Sequence, residues 1–322
     1  MSVGEEVLRA LREADGHLSG QALADRLGVS RHAVWKAIDK LRGEGYEIEA
    51  RTNMGYRLVA VADAFSKEGV AAFLPQAGDW HLEFHAEVGS TNDRARQLAE
   101  NGAPAWSVVL AGRQSAGRGR LGRSFYSPAS GGIYMSVVVR PTCDVREANM
   151  LTLAAAAAVA ESVETVCDRS VGIKWVNDCF LDGRKFCGIL TEAAVGVEEQ
   201  CLRYAVVGIG INVAAPEGGY PPELSEVVTS IYETPPQGEV RNRLAAEVLR
   251  RFRAYAEDLP ARQYMESYRK HLFVIGRNVR LVRGQTSEEV RVLALADDGS
   301  LVVQGADGET KTVASGEVSL RF

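Results

Sequence analysis

A hydrophobic period that changes twice constrains this chain more than any other feature of its sequence. Up to about residue 62, apolar residues recur at helical spacing: Val7, Leu8 and Leu11, then Ala22, Leu23 and Leu27, then Val34, Ile38 and Leu41. From about 66 to 271, helical stretches mix with short β-branched runs. From about 273 to 322 the pattern becomes five short β segments separated by turns. One layer architecture does not accommodate three regimes in 322 residues, so three domains are predicted, at 1–62, 66–271 and 273–322.

In the first block Gly28 supplies a tight turn after the second helix, and Ser30 is placed to cap the third. The short turn between these helices has the proportion of a helix-turn-helix. Strand candidates 48–50 and 56–59 flank Arg51-Thr52-Asn53-Met54-Gly55, which would make a wing. In the middle block, 108–111, 134–139, 173–176, 186–191 and 204–211 read as buried strands. Leu153 to Val166 reads as an alanine-rich helix, with further helices at about 238–257 and 261–271. This is an α/β or α+β domain. In the third block the turn signals are Arg283-Gly284, Asp297-Asp298-Gly299-Ser300 and Asp307-Gly308, and a small SH3-like β-barrel is the simplest closure.

Composition narrows the class. With 42 acids against 37 bases the formal net charge is −5, which argues against a wholly basic nucleic-acid binder and leaves room for a local basic surface. Cysteines 143, 167, 179, 187 and 201 contain no CxxC pair, and their odd number argues against a disulfide framework. The start carries two glutamates and no long apolar run. The longest apolar stretch, Leu153 to Ala160, is far below the roughly 20 residues that cross a bilayer. A soluble, cytoplasmic protein with no membrane partner is expected. The sequence offers no His/Cys cluster, so no protein-held metal is expected, and His32, His81 and His85 read as surface or core residues.

The densest chemical signal is Gly112 to Gly132. Arg113, Arg118, Arg120 and Arg123 interleave with Gly117, Gly119 and Gly122, and no acid occurs from Gly112 to Ser130. Glycine lets backbone close on a ligand, and guanidinium forks match carboxylate and phosphate oxygens. The loop therefore reads either as an anion-capturing segment, suited to a departing pyrophosphate, or as a solvated basic loop. Two further segments, Lys174-Trp175-Val176-Asn177-Asp178 and Gly208-Ile209-Gly210-Ile211-Asn212, stand at strand ends, with Gly183-Arg184-Lys185 through Gly188-Ile189-Leu190 between them. Alone, the first is a surface ion pair and the second only close backbone packing.

Taken in this order, the segments resemble the biotin–protein ligase family, in particular its bifunctional members that also repress transcription. The family pattern GRGRxGR occurs at Gly117–Arg123 and KWPND at Lys174–Asp178, with Val176 in place of proline. GRKxxGIL is intact at Gly183–Leu190 and GIGIN at Gly208–Asn212. The STN signature is Ser90-Thr91-Asn92. The resemblance spans essentially the whole chain. Loss of the proline removes a fixed φ before Asn177 and Asp178.

The resemblance implies roles. Ser90, Thr91, Asn92 and Gln114 would hydrogen-bond the ureido ring of biotin. Arg118, Gly119 and Arg120 would fold over biotin and its adenylate. Lys174 would lie between the biotin carboxylate and the ATP α-phosphate, with Arg118 assisting. Arg120, Arg123, Asn177 and Asn212 are nucleotide-side candidates, with Tyr220 as the aromatic stacked on adenine. Asp178 would orient and deprotonate the acceptor lysine. Lys185 would assist with phosphate or acceptor, or merely pair with Asp182. The implied reaction converts biotin and MgATP to biotinyl-5′-AMP and pyrophosphate, then acylates a lysine of a biotin carboxyl carrier protein. Magnesium would ride on the triphosphate.

The third helix, Ser30 to Arg42, would be the DNA-recognition helix. Ser30, Arg31, His32, Lys36 and Lys40 are its candidate contacts, Arg42 also faces outward, and Arg51 and Arg57 lie on the wing. Residues 1–62 hold nine bases and nine acids, so a block that only packs against the ligase is the competing view. One helix-turn-helix reads only a half-site, and the resemblance implies a homodimer when adenylate is bound, on operator DNA, with the dimer surface shared by the acceptor. Two other functions fit less of the sequence: a biotin-responsive repressor with an inactive ligase site, and a lipoate–protein ligase.

Overall fold

The computed structural model describes residues 2–43, 45–61, 65–75, 79–129, 131–141, 148–195, 202–283 and 286–319. Gly284 of one expected turn and the cysteines at 143 and 201 lie outside them. The amino-terminal unit is α1 (Val3–Glu13), α2 (Gly20–Leu27), α3 (Arg31–Gly43) and an antiparallel pair, β1 (Tyr46–Arg51) and β2 (Gly55–Val61). Of the expected apolar positions, all but Ala22, which is exposed while Ala24 takes its place, meet in one core with Tyr46 and Ile48. Gly28 takes φ +64° at the C-cap of α2, and the amide of Ala33 donates to the Ser30 hydroxyl at 3.1 Å, so both turn signals act as expected.

The central unit adds α4 (Lys67–Ala71), β3 (His81–His85), α5 (Thr91–Glu100), β4 (Ser107–Ala111), β5 (Gly132–Val139) and α6 (Ala148–Cys167). There follow β6 (Gly172–Lys174), β7 (Asp178–Leu181), β8 (Arg184–Val195), β9 (Leu202–Asn212), α7 (Pro222–Ser225), α8 (Val240–Glu257) and α9 (Tyr264–His271). Its seven strands are ordered β3-β4-β5-β9-β8-β7-β6, parallel at β3–β4 and antiparallel elsewhere. The sequence reading placed a strand to Val176, but β6 ends at Lys174 and residues 175–177 form a turn. Tyr268 of α9 donates to the Val176 carbonyl at 3.1 Å, and the Trp175 indole donates to the Gly299 carbonyl at 3.0 Å.

Strand alternation gives the sheet two different faces. Ile133, Met135 and Val137 of β5, and Val207, Ile209 and Ile211 of β9, face the main core with α6, α8 and α9. On the other face Val109, Val138 and Val206 meet Ala95 and Ala99 of α5. Beyond α5 the same face carries Gly188, Gly208 and Gly210, and the functional site forms there. By length and composition α6 would cross a membrane, yet 78% of its apolar window is buried between the sheet and its neighbouring helices, so it is a core helix.

The carboxy-terminal unit is β10 (Asn278–Arg283), β11 (Thr286–Leu295), β12 (Leu301–Gln304), β13 (Thr310–Val313) and β14 (Glu317–Ser319). They form an antiparallel sheet in the order β13-β12-β11-β10-β14. Its apolar positions, among them Val279, Leu281, Val292 and Leu301, join the central core.

Candidate active site

Three glycines create the site by omission. Gly188 pairs with Gly210 across β8 and β9, Leu190 pairs with Gly208, and all of these project to the same face. No side chain rises from three neighbouring positions, so a flat slot opens over the backbone. A Cβ on Gly210 would stand 2.5 Å from the ring of Phe125, which lies directly over this glycine, and a Cβ on Gly208 would collide with the Asn92 amide. The slot is shallow, a cavity of about 50 Å³, and is lined by Ser90, Thr91, Asn92, Gln114, Arg118, Arg120 and Lys185 among others.

One end is a dense hydrogen-bond network. At the start of α5 the Ser90 side chain makes no capping bond; the Thr91 amide donates instead to Gln114 Oε1 at 2.8 Å. The Gln114 amide donates to Ser127 Oγ at 3.0 Å. Ser136 of β5 reaches Asn92 Oδ1 at 2.6 Å and Thr91 Oγ1 at 2.7 Å, while Asn92 Nδ2 donates to Glu192 at 2.8 Å. Ser136 and Glu192 escaped the sequence reading. Each stands alone in its strand, and only the faces that β5 and β8 turn toward α5 connect them to the site.

The other end is cationic. Lys185 lies beside Gly188, two residues along β8 from the level of Asn92, a rise of roughly 7 Å. Its ammonium pairs with Asp178 at 2.7 Å rather than with Asp182, which binds Arg169 at 3.0 Å. Asn177 donates to Asp178 and to the Ile189 carbonyl, each at 3.0 Å. Lys174, the expected central lysine, is set back from the slot lining. Its Nζ is 3.9 Å from Asp178 and 5.2 Å from the Phe180 ring centre. Burial lowers its pKa from the ordinary lysine value, against the opposing pull of Asp178. A bulge between Cys179 and Phe180 shifts the β7–β8 register, so that Phe186 and Cys187 are both buried in the core and Lys185 lies on the slot face.

The arginine loop is tied down on both sides of the slot. Arg118 binds Glu192 at 2.8 Å and Asp93 at 2.9 Å, and Arg120 donates to Asn177 at 3.0 Å and to the Gly316 carbonyl at 3.4 Å. Arg123 forms a two-pronged pair with Glu317 of β14, at 2.6 and 2.9 Å, which holds that carboxyl below its ordinary range. Arg118, Gly119 and Arg120 line the slot, whereas Arg123, Asn212, Tyr220 and Asp178 do not. Asn212 bonds the Thr229 carbonyl at 3.1 Å. Tyr220 bonds Ser230 at 2.5 Å and meets Tyr126 edge to face. Among the described residues no group of three or more His, Cys, Asp or Glu could hold a metal.

On the amino-terminal unit, Arg31, His32 and Lys36 are exposed on α3. Lys40 is diverted: its ammonium pairs with the buried Glu68 of α4 at 2.5 Å, and Arg42 donates to the Ile48 carbonyl at 2.6 Å. Wing residues Arg51 and Arg57 share Glu49, at 2.8 and 3.1 Å.

Comparison with known proteins finds a family match in each of the three units. Residues 5–57 match the HTH domain family, 86–212 the Biotin/lipoate A/B protein ligase family, and 274–321 the Biotin protein ligase C terminal domain. The bifunctional ligase/repressor BirA of Bacillus subtilis is 35% identical over 94% of both chains. The biotin–[acetyl-CoA-carboxylase] ligase of Mycobacterium tuberculosis is 34% identical over 74% of this chain and 88% of its own. The crystal structure of Aquifex aeolicus biotin protein ligase in complex with biotin and ATP is 28% identical. It superposes with a TM-score of 0.63, covering 75% of this chain and 98% of that one.

Proposed function

This chain belongs to the family of bifunctional biotin ligases and repressors, and on that premise we propose that it activates biotin with ATP, biotinylates a carboxyl carrier protein and represses genes by binding their operator. The observation that carries the reading is the glycine-floored slot with a hydrogen-bond network at one end and Lys185 at the other. A bicyclic ureido head needs buried donors and acceptors, and its ring needs a flat apolar berth. Ser90, Thr91, Asn92 and Gln114 supply the first; Gly188, Gly210 and Phe125 supply the second.

The carboxylate of a ligand so held would lie toward Lys185 and Arg120. In the first step a carboxylate oxygen attacks the α-phosphorus of ATP, the bond to the bridging oxygen breaks, and pyrophosphate leaves. Lys185 offsets the repulsion between the two anions and the charge that builds at phosphorus, with Lys174 behind it. Arg120, Arg123 and Asn177 are placed to meet nucleotide phosphates once their present partners are released. Asn212 and Tyr220 would serve the nucleotide from the rim. Magnesium would arrive on the triphosphate, screening its charge and taking most ligands from phosphate and water.

In the second step the acceptor lysine amine attacks the acyl carbon, the bond to AMP breaks, and a proton must leave the nitrogen. A free lysine, with a pKa of about 10.4, is protonated at neutral pH and needs a carboxylate to receive it. Asp178 is that carboxylate in our reading. On the DNA side Arg31, His32 and Lys36 would enter the major groove and Arg51 and Arg57 would touch the backbone. Two copies, joined when the adenylate is bound, would read two half-sites. Similarity to bacterial ligase/repressors with a DNA-binding domain supports a cytoplasmic location, and we assign the chain there.

Incubation with biotin, MgATP and an unmodified biotin carboxyl carrier protein should add one biotinyl group to the carrier by mass spectrometry, with none from lipoate. Transfer of lipoate instead would reassign the chain within its fold. Tight biotin binding without any transfer would leave only the repressor.

A further inference from the structure

One large apolar side chain on α3 is unused by the core it stands beside. Val34, Ile38 and Leu41 are buried, but Trp35 is 50% exposed. His32 lies one turn earlier, its ring nearly parallel to the indole at 16° with centres 5.8 Å apart. Arg31 and Lys36 flank this aromatic pair on the same exposed face. The basic residues of the last turn are engaged elsewhere, Lys40 with Glu68 and Arg42 with the Ile48 carbonyl. The first half of α3 thus presents two cations around an aromatic plate, while the second half exposes Asp39 one turn beyond Trp35 together with the already partnered Lys40 and Arg42. In helix-turn-helix proteins the first half of the recognition helix meets base edges.

We propose that Trp35, buttressed by His32, takes thymine methyl groups in the major groove and so selects thymine at a fixed position in each half-site. The partner is duplex DNA. Arg31 and Lys36 give the face the charge that suits phosphates, and the 5-methyl of thymine is the apolar group a base pair presents in that groove. The inference rests on α3 being the groove helix. It adds a contact that charge alone would not provide, because Arg31 and Lys36 on phosphates carry no sequence information.

The test uses the full chain with biotin and MgATP. Duplexes are first selected from a random 40-base-pair pool, and each thymine of the winning sequence is then replaced singly by deoxyuridine, which lacks only the methyl group. At one thymine per half-site the wild type should lose about fourfold in affinity, the worth of one buried carbon. Trp35→Ala should bind the thymine duplex about as weakly as the wild type binds the uracil one, and be insensitive to the replacement. Trp35→Phe should retain the sensitivity, which separates loss of the plate from loss of fold. Wild type indifferent to uracil at every position, or Trp35→Ala still sensitive to it, would overturn the proposal. Arg31→Ala and Lys36→Ala distinguish the premise. If both bind as wild type at low salt, α3 is not the groove helix; if they weaken while Trp35→Ala does not, only the methyl contact fails. Selection of no duplex at all would overturn both.

Discussion

Gly208 and Gly210 keep their place because the site needs an absence of atoms. Alanine at 210 would put a carbon 2.5 Å from Phe125, and alanine at 208 would strike the Asn92 amide. Gly210→Ala should therefore raise the Kd for biotin by at least 10-fold in calorimetry with little change in melting temperature, since the slot face is not core. An unchanged Kd would place biotin elsewhere. Asp178 is the harder residue. It lies 2.7 Å from Lys185 and accepts from Asn177, so it both positions the slot lysine and stands where a base is wanted. Asp178→Asn should slow biotinyl transfer on the order of 10²-fold and more than it slows pyrophosphate release. Equal losses in the two steps would assign it to holding Lys185 alone.

The elements show what was legible in the sequence. Helices α1 to α3 and the wing followed directly from period and caps, because each is stabilised by local signals. α5 did not, because its buried face is Ala95 and Ala99, too small to register as an apolar stripe among Arg94, Arg96 and Gln97. The motif order identified the loop, the strand ends and the family resemblance. What it could not show was that Lys185 lines the slot, because that depends on a one-residue bulge in β7–β8 pairing. Nor could it show that Glu317, almost 200 residues away, clasps Arg123. That clasp has a pH dependence of definite sign. The Glu317 carboxyl is held below its ordinary 4.5 chiefly by its hydrogen bond from Arg123, so its contribution is present above that value and lost as pH falls through the depressed one. The pair is partly exposed and contributes about 0.2–1 kcal/mol. Glu317→Gln should lower hydrogen-exchange protection of the 117–123 amides by a few-fold at neutral pH, and the wild type should lose the same increment in acid. Equal protection in both proteins at neutral pH would mean that the loop is held by its other contacts.

At the scale of the whole molecule, a buried polar junction seats the amino-terminal unit on the catalytic one. Tyr46 Oη lies 3.1 Å from Ser66 Oγ, the Ser66 amide donates to Asn242 Oδ1 at 3.2 Å, and Arg12 pairs with Glu239 at the start of α8. Arg9 donates to the carbonyls of Ala71 and Leu74. Such groups are costly to leave unpaired, so Asn242→Leu should destabilise the docked head by about 1–3 kcal/mol. Hydrogen exchange in α1 and α3 would rise while α6 stays protected; uniform change would instead mean that the units unfold together. These contacts also reach the recognition helix: Lys40 pairs with Glu68 of the next domain while its side chain stays 60% exposed.

In our reading biotin is adenylated in the slot, and Lys185 is the lysine within it, beside Arg118 and Arg120. Acceptor-free pyrophosphate release in a single turnover, with biotin and MgATP, tests this most directly when wild type, Lys185→Ala and Lys174→Ala are run side by side. The wild type should release pyrophosphate, Lys185→Ala should lose on the order of 10²-fold or more, and the set-back Lys174→Ala should lose less. Undiminished release by Lys185→Ala, or a greater loss at Lys174 than at Lys185, would contradict this reading.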